Sequence, residues 1–447
     1  MNRGLTVFSL AFLLVSLACQ TMTQAFEPAE LTFHGSKPTH IPAPTATPLP
    51  PISSRLNGDD LPVVELGTSK EDHTERSRPR LSGTMVSVET EHFRVHYTLE
   101  GDDAVAEADD NGNGQPNYIE DMASALEYSW FAEIDHFGWA PPPSDGVLGG
   151  DEKYDIYLAN ILPSGYAGFT APDENHSDVG DNLRSSTIVE KNSTHSYIAL
   201  DNDYVEYDEF KVAGISRKEY MQSVVAHEFN HAIQFGYDGE EPDSWLWEAT
   251  ATWMEDEVFN DVNETVRILK SEFKSTDTCQ LSQGGEFGDP DAGHWYGMWI
   301  FMRYVSERYG DDAVRRLWEL AVQHDGYAVW DAFLAEQGII MEDFYKEFAV
   351  ALLSRNFEEG QDYPTVRLEG HASGAGDFTP TDGVQQFGAD YIEILGHDIY
   401  TVKLNSQELI GMLVAVKEHQ AHIFPMQENQ ASIDTNQFEH TYIVVLN

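Results

Sequence analysis

The sequence predicts an α+β protein: a small strand layer, then a mostly helical half, then a C-terminal β-sandwich-like unit. Three observations carry this. Apolar residues alternate over Val86–Tyr97 like a strand, and Tyr154–Leu162 and Ser196–Leu200 are short runs rich in Tyr, Ile and Leu that also read as strands. Helical apolar spacing then takes over at Glu219–Phe235, Trp245–Phe259, His294–Tyr309, Asp311–Gln323 and Met341–Asn356. From about Gly370 the runs shorten again and Gly and Asp punctuate them, at Tyr391–Leu395, Ile399–Leu404, Leu409–Val416 and Tyr442–Leu446.

Residues 1–18 have the form of an export signal. Arg3 gives a positive start, and Leu5–Leu17 is apolar and uncharged but short for a bilayer span. Two cleavage sites compete. Residues 16–19 (SLAC) match a bacterial lipoprotein box, with Ser16 where Leu or Val is usual and Cys19 as the lipidated residue. Residues 23–25 (TQA) offer an ordinary signal-peptidase site instead. The first places the protein on the cell surface and the second releases it. Residues 19–80 are expected to be a disordered tether, because Pro38, Pro42, Pro44, Pro48, Pro50 and Pro51 alternate with Thr and Ala and leave nothing to bury. The main folded body is expected over 81–369 and the β unit over 370–447.

The charge is extreme: 76 acidic residues against 26 basic, a formal −50. Such a surface repels nucleic acid and anionic membrane, so neither is an expected partner, and a membrane enters only through a lipid on Cys19. The self-repulsion is of a kind that bound cations relieve. The only cysteines are Cys19 and Cys279; with Cys19 lipidated or removed, no intrachain disulfide can form.

The first helix is expected over Tyr118–Phe137, with Ile119, Met122, Leu126 and Trp130 on one side. The loop before it fits an EF-hand-type calcium site. Asp109, Asn111, Asn113, Gln115, Asn117 and Glu120 occupy the ligand positions, and Gly114 stands at the sharp bend. The incoming segment 101–108 is acidic and not helical, so this is a loop-plus-helix variant, and its cation would be structural. A polar turn capping the helix is the alternative.

Residues 227–231 read HEFNH, an HExxH motif in a run without Pro or Gly from Lys218 to Phe235. On a helix His227 and His231 lie one turn apart on one face, so both imidazoles can reach a single zinc ion. Glu228, between them, can approach a water at the ion from the side and act as general base. A catalytic zinc wants a third protein ligand. HExxHxxGxxH would need Gly at 234 and His at 237, but the chain has Gln234 and Tyr237. Glu248 lies on the next helix, across a turn with Gly239 and Pro242, where Asp243 and Ser244 are natural N-caps. That leaves a His, His, Glu set.

Both helices resemble the gluzincin metallopeptidases, which include thermolysin-like enzymes and M1-type aminopeptidases. The stretch Trp245–Glu255, WLWEATATWME, is similar to the WLNEGFAxWxE of the aminopeptidases. The nearest likeness is to a family of bacterial secreted metallopeptidases. It shares the Asn/Gly/Asp-rich loop, an HExxHxxQ helix, a WxxEATAxW helix and a YGxWxF helix, over roughly residues 85–360. The resemblance implies a zincin-like fold, zinc on His227, His231 and Glu248, and Glu228 as base. It makes Glu255 an outer partner of a ligand histidine. Tyr296 matches the segment that bears the catalytic tyrosine of M1-type enzymes and would assist the oxyanion; His294 is the other candidate, and plain aromatic packing the alternative for Tyr296. The resemblance also implies an edge strand lining the cleft, placed at Tyr197–Asp203. The aminopeptidases' GxMEN loop is missing, which favours endopeptidase action on protein or peptide substrates. Two other functions compete: a catalytically silent surface binding or adhesion protein on the same fold, and a zinc hydrolase of non-peptide amides or esters. Nothing in the sequence speaks to oligomeric state.

Overall fold

The computed structural model describes residues 54–55, 78–173, 182, 184–185, 190–210, 214–277, 294–373, 384–385, 387–406, 408–417 and 420–447. The expected export signal, Cys19, Cys279 and most of the expected tether lie outside these residues.

The fold is mixed α+β. A six-stranded sheet comprises β1 (Ser54–Arg55), β2 (Val86–Glu89), β3 (Phe93–Tyr97), β4 (Tyr154–Ala159), β5 (Gly168–Pro172) and β6 (Ser196–Asp201), in the order β1-β2-β3-β4-β6-β5. β3, β4 and β6 run parallel, while β2 and β5 are antiparallel to their neighbours. Val86–Tyr97, expected as one strand, is a hairpin. Thr90 turns the chain by accepting the Phe93 N–H on its hydroxyl and donating its own N–H to the Phe93 carbonyl. The polar trio Thr90, Glu91 and His92 is the turn, and apolar alternation on both arms hides it.

The tether expected over 19–80 is corrected at both described points. Ser54–Arg55 pairs with β2. Arg78 is mostly buried and paired with Asp145, Asp155 and Asp173. Those acids lie far downstream, so no local pattern around Arg78 announces them.

Helix α1 (Asn117–Trp130) buries Ile119, Met122, Leu126 and Trp130, as its spacing requires, and runs on into a π-helical turn at Phe131–His136. After the short α2 (Tyr207–Phe210) comes the long α3 (Arg217–Asp238). A capping box starts it: Ser216 accepts from the Glu219 N–H and the Glu219 side chain accepts from the Ser216 N–H. α4 (Ser244–Val258) follows; Asp243 holds the N-cap position, but its side chain makes no capping bond. α3 packs against α4 on one side and against β5 and β6 on another.

Beyond it lie α5 (Val266–Glu272), α6 (His294–Gly297), α7 (Trp299–Tyr309), α8 (Ala313–Ala321), α9 (Tyr327–Gln337) and α10 (Met341–Ser354). The single helix expected over His294–Tyr309 breaks at Gly297–Met298. The break sets Gly297 against α5, where an added Cβ would sit 2.9 Å from Glu272 Oε2. α9 was not anticipated. It buries Val329, Trp330, Phe333 and Leu334, but apolar residues extend round it instead of forming a clean stripe.

The C-terminal strands are β7 (Gly370–Ala372), β8 (Ala389–Ile394), β9 (Ile399–Lys403), β10 (Ile410–Lys417), β11 (Gln420–Pro425), β12 (Gln430–Asp434) and β13 (His440–Leu446). Five form a sheet in the order β11-β10-β13-β8-β7, and β12 and β9 pair separately. Strand alternation divides the larger sheet's side chains. Ile392, Leu413, Ile443 and Val445 share a core with Ile433 and Val402 of the small sheet. Tyr391, Met412, Val414 and Val444 join the main core instead, and the Tyr391 hydroxyl donates to the Ala349 carbonyl of α10. The β unit is therefore packed onto the helical body through a continuous apolar core.

Candidate metal centre

The i, i+4 spacing on α3 puts the rings of His227 and His231 side by side, and α4 brings Glu248 to them. Their donor atoms all lie within 4.8 Å of one another. His227 Nε2 and His231 Nε2 are 3.0 Å apart, and Glu248 Oε2 is 3.2 Å from the first and 3.5 Å from the second.

The hydrogen on the His231 ring follows from one backbone carbonyl. Trp247 O can only accept, so the Gln234 group facing it at 3.0 Å is the amide nitrogen. The Gln234 oxygen then faces His231 Nδ1 at 2.7 Å, and that nitrogen must carry a hydrogen. His227 Nδ1 lies 2.8 Å from Glu255 Oε1 and donates to it; Ser223 donates to the other Glu255 oxygen. As neutral rings, both histidines point Nε2 lone pairs toward each other and toward a carboxylate. Three acceptors converge with no hydrogen among them, an arrangement that only a proton or a metal ion resolves. Burial opposes a proton on His227, yet Glu248 and Glu255 outweigh it and hold the ring's pKa well above its usual value. Burial likewise pushes Glu248 up, but His231 and His227 overcome it and keep its carboxyl well below the usual range. Two N and one O donors at this spacing, each histidine fixed from behind, fit zinc.

Glu228 lies beside this group, against strand β5. The Thr170 hydroxyl is 2.9 Å from Glu228 Oε2 and 2.8 Å from its carbonyl oxygen. Burial raises the Glu228 pKa, opposed by His227, His231 and the Thr170 bond. Gly168 makes room: a Cβ there would stand 2.7 Å from Glu228 Cγ. The Tyr296 ring stacks on His227 with centroids 5.9 Å apart. Burial, then the carboxylates of Glu248, Glu228 and Glu255, push its phenol pKa well up, so it stays a proton donor. The side chain of His294, the other candidate, lies outside the described residues.

The edge strand is not Tyr197–Asp203. β6 is interior, between β4 and β5, and β5 is the edge. Gly168 and Pro172 bound β5 and depress its strand signal, which is why it went unread.

The loop 109–120 folds around Asp109. Its carboxylate accepts backbone N–H groups from Gly112, Asn113 and Gly114 at 2.8–3.2 Å. The amides of Asn111 and Asn113 donate to Glu120 at 2.7–3.0 Å. Of the six expected ligands, Asn111, Asn113 and Glu120 thus gather, while Asp109 holds the backbone of the bend. Asn117 is turned to the Asp110 N–H, and Gln115 is buried. Among the described residues one further acidic group was missed by sequence reasoning: Asp201, Asp203 and Glu206. Asp201 there accepts four backbone N–H groups, from Ile161, Leu162, Asp203 and Tyr204, and so holds a turn.

The family of unknown function DUF6055 matches residues 208–330, a span that contains His227, Glu228, His231, Glu248, Glu255 and Tyr296. None of the curated proteins matches the chain.

Proposed function

We propose that this protein is a zinc-dependent peptidase of the gluzincin type, an endopeptidase acting outside the cytoplasmic membrane. The observation that carries the reading is the convergence of His227 Nε2, His231 Nε2 and Glu248 Oε2 within 3.5 Å of one another, with each ring held from behind at Nδ1. When bound, zinc supplies a Lewis acid that acidifies water and polarises the scissile carbonyl. Glu228 takes the proton of the attacking water and passes it to the leaving amine. The Tyr296 phenol donates to the oxygen on which charge develops. Glu255 orients His227. Intact Glu228, held against the edge strand, speaks against a silent binding protein. Among the described residues no helix is long and apolar enough to cross a membrane.

The test is metal analysis of purified protein together with peptide hydrolysis. About one zinc per chain and hydrolysis abolished by phenanthroline are expected. Zinc with turnover of esters alone would move the reading to the non-peptide hydrolase.

A structural calcium ion is proposed for the 109–120 loop. Extracellular loops of this kind bind at about 10⁻⁴–10⁻³ M. At ten times that Kd the gain is about 1.4 kcal/mol, a rise in Tm of about 2 °C for a chain of this size. Calcium should raise the Tm of the parent by that amount, and Asp109→Ala with Glu120→Ala should remove the rise. A parent indifferent to calcium retires the site.

A further inference from the structure

We infer that Gln234 is a positioning residue that ties together the two helices carrying the metal donors, and that Asn230 and Glu133 hold it in place. The inference rests on the zinc reading above. Every polar group of the Gln234 amide is committed. Its oxygen accepts from His231 Nδ1 at 2.7 Å, and its nitrogen donates to Asn230 Oδ1 at 2.8 Å and to the Trp247 carbonyl at 3.0 Å. Trp247 directly precedes Glu248 in α4. One amide therefore sets both the orientation of the His231 ring and the position of the backbone that presents the third donor.

The chain of bonds continues inward. With Asn230 Oδ1 facing Gln234, its nitrogen donates to Glu133 Oε2 at 3.0 Å, 97 residues upstream. Gln234, Asn230 and Glu133 are each 0 % exposed. Glu133 sits on the π-helical turn that ends α1, so an irregular turn aims the last link. No other side chain suits position 234 as well. A glutamate could accept from His231 but could not donate to Asn230 or Trp247, and an apolar residue could do neither. The two histidines thus have unlike supports: the anionic Glu255 behind His227 and a neutral amide relay behind His231.

The experiment measures zinc affinity by chelator competition, and the visible spectrum after cobalt substitution, on the full chain. Gln234→Leu should weaken zinc about 10–100-fold, as loss of an outer partner does, and shift the cobalt bands. Gln234→Glu, which still accepts from His231 but turns an acceptor toward Asn230 Oδ1 and the Trp247 carbonyl, should recover only part of the affinity. Should Gln234→Leu not fold, Glu133→Ala should weaken zinc in the same direction by less, and Glu133→Gln, still able to accept from Asn230, should restore the parent value. A Gln234→Leu protein with lowered Tm but parental zinc affinity and cobalt spectrum overturns the inference, since Gln234 would then merely pack. A parent that binds no zinc instead counts against the zinc reading itself.

Discussion

Glu228→Gln is expected to leave about one zinc bound per chain and to lower kcat by about 10²–10⁴-fold, the usual worth of a positioned general base. The substitution preserves shape, and a glutamine oxygen can still accept from Thr170, whose hydroxyl is 2.9 Å from Oε2. The metal donors His227, His231 and Glu248 are untouched, so metal content should not change. What is lost is a group that can accept a proton. Burial already raises the Glu228 pKa, which brings the carboxylate nearer the proton affinity a base needs near neutral pH. Steady-state kinetics on one peptide, with zinc measured on the same preparation, decides the matter. Activity within tenfold of the parent with zinc retained would remove Glu228 from the chemistry.

The meeting of His227, His231 and Glu248 was legible because a helix converts spacing into direction. HEFNH places His227 and His231 on one face whatever surrounds them, and a second amphipathic helix after a short turn has few ways to avoid the first. Glu255 entered only by resemblance, and it stands 2.8 Å from His227 Nδ1. Thr170 was invisible. It lies on a strand bounded by glycine and proline, and meets Glu228 only because that strand takes the sheet edge and the later β6 inserts between it and β4. The Gln234 relay illustrates the same boundary. The glutamine itself was noticed, as the residue that excludes a third histidine, but its partners Trp247 and Glu133 belong to other elements. In the 109–120 loop, the contacts from Asp109 to Gly114 span five residues or fewer and were readable from spacing. The turn of Asn117 toward Asp110 was not.

Glu248→Ala should weaken zinc binding by more than Glu255→Ala does, and the order matters more than either value. Glu255 reaches only the far nitrogen of His227; without it the ring keeps Nε2 but loses its orientation and some basicity, a loss of about 10–100-fold. Glu248 supplies the oxygen 3.2 Å and 3.5 Å from the two ring nitrogens, so its removal deletes a donor and leaves the two Nε2 atoms without the carboxylate they share. The thermal response should follow. Zinc at a thousand times Kd stabilises the folded chain by about 4.1 kcal/mol, and a hundredfold loss of affinity takes about 2.7 kcal/mol of that away. Chelator should therefore lower the parent Tm clearly, the Glu255→Ala Tm less, and the Glu248→Ala Tm least. Competition titration with a chromophoric chelator gives the affinities directly. If Glu255→Ala proves the more damaging of the two, Glu248 is not a ligand, because an outer partner cannot outweigh a donor it merely assists.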